Sequence, residues 1–312
     1  MIEFESVGKS YGSLKALDGA ELRIPEGSVY GIIGPNGAGK TTAMSIMAGL
    51  LKRDTGKVRV AGEDPQRDSK AVRAAVGYMP DFFGVYDGLT AAEYLLFFAA
   101  TQSVRAQARK AVVADLLALV DLEDKADDDV NGLSRGMKQR LSLARALVHD
   151  PSVLILDEPA SGLDPRARVH LRELVAELNR MGRTIVISSH ILSELEGMCS
   201  HLAVIDHGKV VVEGTVDELR NDAVGHRTVR VRVHETAVEA AERWLRDQPE
   251  VGSVAVERDV CDFKFAGDDA VGAELLRRAI GADIPVLEWT FQGQSLENIF
   301  MSLTVGAEGE QP

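Results

Sequence analysis

The residues most able to do chemistry cluster around Lys40, which follows Gly34-Pro35-Asn36-Gly37-Ala38-Gly39 and precedes Thr41-Thr42. Glycines at 34, 37 and 39 permit torsions and close approaches that a Cβ blocks, so successive N–H groups can turn inward on a polyanion. Lys40 adds a positive charge at the β/γ position of a nucleotide. Thr41 offers a hydroxyl to Mg2+, and a following helix supplies the partial positive charge of its N-terminus. Further along, Asp157 and Glu158 end one apolar run and His190 follows another.

The elements that must hold these groups follow from hydrophobic patterning. Val29–Ile33 is a short apolar run of the kind that forms a buried parallel strand, and Thr41–Leu50 reads as the helix after the loop. Ser152–Leu156 is a second such strand, delivering Asp157 and Glu158 to its C-terminal edge; Thr184–Ser188 is a third, delivering His190 to the same edge. Between them Asp164-Pro165 opens a helix, with Asp164 as N-cap and Leu171, Leu174, Val175 and Leu178 as its buried stripe. Residues 1–30 alternate as strands of an antiparallel sheet, and Lys57–Ala61 is a further strand. Tyr11 sits on the loop within that sheet, where its ring either stacks on an adenine or is an ordinary core or surface tyrosine; position alone leaves the two equal. From Thr90 the pattern turns helical over 91–100, 104–120 and 137–148, with an acidic break at 121–129. This marks a helical insertion, about 88–150, between two core strands. Ala203–Ile205 and Val210–Val212, joined around His207-Gly208, form a closing hairpin.

After Leu219 the order changes to strand, helix, strand, strand, helix, strand over 228–289, the βαββαβ order of a ferredoxin-like sandwich. The expected fold is therefore α/β: a P-loop core with a parallel sheet, an antiparallel subdomain and a helical insertion over 1–220, then an α+β domain over 221–305. A helix is expected near Leu296–Leu303 and a disordered tail over 306–312.

Composition excludes several classes. The 312-residue chain has a net charge of −13, and residues 223–312 alone carry nine Lys/Arg against sixteen Asp/Glu. That balance argues against nucleic acid as a partner, since such binding rests on neutralising phosphates, and against adsorption to anionic lipid. The start of the chain has early acidic residues and no apolar core of a signal peptide, and no run approaches the ~18 apolar residues of a membrane span. The expected location is cytoplasmic, at a membrane only through an integral partner. Cys199 and Cys261, far apart and without CxxC spacing, read as reduced thiols.

Leu133-Ser134-Arg135-Gly136-Met137-Lys138-Gln139-Arg140, then VLILDEPASGLD, then ISSH, behind the phosphate loop and in that order, resemble the nucleotide-binding subunit of ATP-binding cassette (ABC) transporters over about residues 1–220. SLENIFMSLT at 295–304 is similar to the C-terminal extension of cassettes that serve bacterial ABC-2 type exporters. The resemblance implies an ATP hydrolase with Gly34 through Thr42 on the phosphates and Mg2+ at Thr41 and Asp157. Lys40, Glu158 and His190 become its catalytic groups, Glu158 as the base that orients the attacking water and His190 as the γ-phosphate sensor. Ser134, Arg135 and Gly136 would touch ATP held by a second subunit, with Ser161, Gly162, Leu163 and Asp164 lining the seam between two head-to-tail chains. Ser134 can equally be a simple helix cap. The same resemblance implies as partners a second ATPase subunit, with a homodimer expected and a heterodimer left open, and a separate integral membrane permease docked on the helical insertion and on 81–89. The C-terminal domain would be regulatory or support the dimer.

Arg135 and Met137 depart from the family's usual LSGGQ, and Asp81 stands where the family carries a glutamine that ligates Mg2+. A carboxylate can ligate Mg2+ but cannot donate as an amide does, so Asp81 is expected to keep the metal role with altered coupling. Two rivals remain: a non-transport ABC ATPase acting as a mechanical clamp, and a regulatory cassette that binds ATP with little hydrolysis. One cassette per chain, the absence of heptads and the acidic balance count against the first; the retained Lys40, Asp157, Glu158 and His190 count against the second.

Overall fold

The structure is a computed structural model that describes residues 1–82, 84, 88–195, 197–222 and 227–292. The chain divides between Thr215 and Val216 into two compact units. The expected helix near Leu296–Leu303, the segment 295–304 and the tail 306–312 lie outside the described residues, as do 83 and 85–87 of the loop 81–89.

The first unit is built on a six-stranded sheet in the order Val76–Met79, Val153–Leu156, Thr184–Ser189, Val29–Ile33, His201–Asp206, Lys209–Thr215. The first five run parallel and the last pairs antiparallel with its neighbour. The central strands are buried along their whole length, which is why they read as unbroken apolar runs rather than alternating ones. His207 and Gly208 both take positive φ, 45° and 78°, as a tight hairpin turn between right-twisted strands requires. A three-stranded antiparallel sheet, Leu14–Ile24, Ile2–Tyr11 and Thr55–Val60, lies against the same core through Ile2, Phe4, Val7, Leu22 and Val58.

The helical insertion consists of Ala91–Thr101, Arg109–Leu119 and Arg135–Leu147, between the neighbouring strands that begin at Val76 and Val153. The first of these opens on a capping box: Thr90 Oγ1 accepts from Glu93 N at 3.2 Å, and Glu93 Oε2 accepts from Thr90 N at 2.9 Å. The second begins at Arg109, five residues later than its pattern predicts, because the chain at 104–108 is a turn closed by Arg109 Nε donating to Val104 O. Helix Pro165–Arg180 starts as expected. Asp164 Oδ1 accepts from Arg166 N and Ala167 N, both at 2.9 Å, and the stripe Leu171, Leu174, Val175, Leu178 is buried. Helices Ser69–Ala75, Leu192–Leu195 and Val216–Asp222 are not among the expected elements; in the first, a single buried residue, Val72, gives no period to read.

The second unit has a four-stranded antiparallel sheet ordered Val251–Glu257, Val260–Phe265, Arg227–Val233, Val286–Gln292, with helices Val238–Arg246 and Asp269–Gly281. Taken in chain order this is the 2-3-1-4 arrangement of a ferredoxin-like sandwich, as the element order predicts. Its core gathers Val229, Val231, Phe263, Phe265, Leu245 and Leu275, while the alternate positions pair charges across strands, as Arg230 does with Asp262 at 2.7 Å. Both cysteines are free and buried.

Candidate nucleotide site

The loop between Val29–Ile33 and helix Lys40–Met47 is shaped by two glycines that no other residue can replace without moving backbone. A Cβ on Gly34 would collide with the carbonyl oxygen of Ile205, and Gly39, at φ 111°, would place one against the carbonyl of Ala16. Gly39 is also the residue that caps the helix, so the first N–H groups of Lys40–Met47 open onto the loop. Residues 35–42 line a cavity of about 240 Å3 together with Tyr11, Leu14, Ala16, Asp81 and Glu158. Gly34 stands just behind it, under the hairpin strand. The tyrosine is half exposed, and Lys9 Nζ lies 5.6 Å from the centre of its ring, so Tyr11 is a face at the cavity's rim rather than a core residue.

Lys40 is 6% exposed, and its ammonium donates to Gly34 O at 2.8 Å and to Pro35 O at 3.3 Å. It also lies 3.4 Å from Glu158 Oε1. The other oxygen of Glu158, Oε2, is 2.8 Å from His190 Nδ1. Lys40 and His190, far apart in the chain, therefore converge on the one carboxylate of Glu158 at the C-terminal edge of three adjacent parallel strands. That edge is where open α/β sheets bind ligands.

Asp157 is fully buried. Burial pushes its carboxyl above the usual carboxylate range, opposed by hydrogen bonds from Ser188 and Thr41 and reinforced by the charges of Asp81 and Glu158. Ser188 Oγ donates to Asp157 Oδ1 at 2.5 Å and at the same time accepts from Glu158 N at 2.9 Å. Among the described residues, Asp157 Oδ2 has no hydrogen-bond partner.

Ser134, Arg135 and Gly136 do not reach this cavity in their own chain. Ser134 Oγ accepts from Met137 N at 3.3 Å, so it caps helix Arg135–Leu147. Arg135 points at its own chain's 161–164 segment: its Nη2 is 3.4 Å from Ser161 Oγ, and its guanidinium covers Gly162, which sits at φ 71°. Leu163 is buried, and Asp164 uses its carboxylate as the helix cap. Sequence reasoning missed two residues here. Ser188 and Gln139 are both buried polar side chains, and each carries a peptide group of Glu158 or its neighbour. Each breaks a buried position with a polar residue, Ser188 inside the run TIVIS and Gln139 on the inward face of its helix, and that interruption was the available signal.

Residues 17–161 match the family model described as "ABC transporter", and residues 214–304 match "ATP-binding protein DrrA1-3-like, C-terminal domain". The Nod factor export ATP-binding protein I of Paraburkholderia xenovorans (strain LB400) is 36% identical over 97% of this chain and 96% of its own length. The chain belongs to the ABC transporter ATP-binding subunits. Another member, the daunorubicin/doxorubicin resistance ATP-binding protein DrrA of Streptomyces peucetius, is 35% identical over 97% of this chain and 92% of its own. An ATP-binding cassette solved as a dimer in a post-hydrolysis state with ADP and Pi superposes with a TM-score of 0.65 at 26% identity, over 69% of this chain and 99% of that one. The cassette described here is thus an ATP-binding ABC ATPase with a DrrA-like C-terminal domain. Among its described residues no helix is long and apolar enough to cross a membrane.

Proposed function

We propose that this cassette hydrolyses Mg2+-ATP in a head-to-tail dimer of two identical chains, driving export through a separate integral membrane permease from the cytoplasmic side. The observation that carries the reading is the convergence of Lys40, Glu158 and His190 at the phosphate loop. Residues 34–42 hold the phosphates, with backbone N–H groups and the Lys40 ammonium neutralising their charge. Glu158 takes the proton of, or polarises, the water that attacks the terminal phosphorus, and His190 holds Glu158 in place from the other oxygen while facing solvent with 41% of its side chain. Tyr11 offers its exposed ring to the base.

The site suits Mg2+. The unpaired buried oxygen of Asp157, the Thr41 hydroxyl beside that carboxylate and Asp81 at the cavity wall make a hard-oxygen donor set. Among the described residues no three His, Cys, Asp or Glu stand together as a complete cage, so the protein supplies only part of the coordination. The ion bound there would add charge neutralisation of the phosphates. Asp81→Ala is expected to raise the Mg2+ concentration needed for half-maximal turnover several-fold; a Mg2+ titration and turnover unchanged from wild type would remove Asp81 from the metal.

A dimer is supported by Ser134 and Gly136 lying away from their own cavity, at a helix N-terminus whose free N–H groups suit a phosphate, and by the dimeric relative. Two inactive full-length variants, Lys40→Ala and Ser134→Arg, test this. Mixed and exchanged, they are expected to recover a fraction of wild-type turnover, because one of the two composite sites in the mixed dimer is intact. No recovery despite demonstrated exchange would overturn the shared-site reading. A permease partner and export follow from the likeness to the Nod factor export ATP-binding protein. The ferredoxin-like unit, with its paired surface charges, is assigned a dimer-supporting or regulatory role.

A further inference from the structure

Glu158 has a backbone that regular structure does not hold. It sits at φ 49°, left-handed and strained for a residue with a long side chain, where the sheet strand Val153–Leu156 has already ended. Strain of this kind persists only where neighbours over-determine it. Its N–H is taken by Ser188 Oγ at 2.9 Å. Its carbonyl accepts from Ser161 N at 3.1 Å and from the Nε2 of Gln139 at 3.2 Å. The same Nε2 donates to Pro159 O at 3.1 Å. Gln139 is 8% exposed, so these bonds are made away from competing water.

Gln139 belongs to helix Arg135–Leu147, whose N-terminus is capped by Ser134. Arg135 lies four residues before Gln139, one turn along the same helix face, and its guanidinium packs over Gly162 and against Ser161. One face of this helix thus grips the turn 158–162 at two points: at the carbonyls of Glu158 and Pro159 and at Gly162. The carboxylate held by that turn is the one paired with Lys40 and His190.

We infer that Gln139 is a positioning residue for Glu158, holding the strained turn through its carbonyls so that the signature helix and the catalytic carboxylate of one chain move as a unit. This rests on the reading of Glu158 as the hydrolytic carboxylate. The consequence is a route from the contact that Ser134 and Gly136 make with one nucleotide to the carboxylate serving the other. Gln139 touches no nucleotide, so its loss acts on turnover and not on binding.

The test uses the full-length chain and the variants Gln139→Leu, which keeps the volume and removes the donor, and Gln139→Met, which keeps the unbranched reach of the side chain and also lacks the donor. Three measurements are made: kcat and KM for ATP with nucleotide affinity by fluorescent analogue, single-turnover hydrolysis in a Glu158→Gln background, and amide exchange of Ser161 in nucleotide-free protein. The expected result for Gln139→Leu is a 10- to 100-fold lower kcat on the scale of a misplaced catalytic group, with KM and nucleotide affinity within about twofold of wild type. Ser161 exchanges at least about tenfold faster, since the carbonyl it bonds is released. In the Glu158→Gln background the same substitution has no further effect, because the group it positions is gone.

A KM that rises in step with the loss of kcat, an additive loss in the Glu158→Gln background, or unaltered Ser161 exchange and kcat would each overturn the inference. If Gln139→Leu folds poorly by thermal melting, Gln139→Met carries the same three measurements with the same expected and contrary outcomes. Failure of the underlying reading looks different: Glu158→Gln itself would then turn over ATP like wild type.

Discussion

Glu158→Gln is expected to lower ATP turnover by about 10^2- to 10^4-fold, the range a positioned general base supplies, while nucleotide binding persists. In free-energy terms this is about 3–5 kcal/mol of the barrier. The substitution keeps the volume and both side-chain contact points: the amide can still meet His190, and Lys40 retains its bonds to Gly34 O and Pro35 O. What it removes is the negative oxygen that orients and deprotonates water. Because the loop, the Lys40 ammonium and Asp157 are untouched, the affinity for ATP should stay within a few-fold. The dimer should outlast its usual lifetime, since hydrolysis no longer separates it. Turnover by purified protein, together with sizing in ATP and Mg2+, checks both. Wild-type turnover by this variant would show that another group handles the water.

Lys40→Ala is expected to act on binding first, weakening nucleotide affinity about 10- to 100-fold, since charge-assisted hydrogen bonds to phosphate are worth about 1.5–3 kcal/mol. It has a second effect that the loop motif alone does not foretell. The Glu158 carboxylate is 8% exposed and draws its nearest fixed positive charge from Lys40 at 3.4 Å. Removing the ammonium leaves that carboxylate buried beside Asp157 with His190 as its side-chain partner among the described residues. A loss on the order of 2 kcal/mol follows, smaller than for a wholly unpaired buried charge because His190 remains, and it corresponds to about 4–8 °C in Tm. The double variant Lys40→Ala with Glu158→Gln removes the stranded charge. It is expected to regain most of the lost Tm and none of the lost affinity. Thermal melting of nucleotide-free protein separates these; a single variant that melts with wild type would mean the Lys40–Glu158 pair contributes nothing to the resting site.

The order of the elements was legible because local rules wrote it. Apolar runs of four or five residues at 29–33, 153–156 and 184–187, too short for helices and bounded by turn residues, read as strands buried on both faces. Asp164-Pro165 states a helix start on its own, and the strand–helix order after 219 admits few sandwiches besides the one found. Local rules failed where an element had too little buried surface to leave a period, as in Ser69–Ala75, or where a turn interrupted a helical composition, as at 104–108.

The chemistry divides the same way. The sequence by itself determined the phosphate loop, the two carboxylates after Leu156 and the histidine after Ser189, because each is placed by a strand end and a spacing of a few residues. Only the tertiary structure decided that Lys40 and His190 meet on the two oxygens of one carboxylate. It also decided that Arg135 lies on its own chain's Gly162 and that Gln139 and Ser188 hold the peptide groups around a strained Glu158. Those pairings join residues 19 to 118 positions apart, and the packing of one helix against one strand end sets them. A spacing rule reaches a turn or two along the chain; a hydrogen bond is satisfied by whatever the fold brings within 3 Å, and that is a property of the packed core.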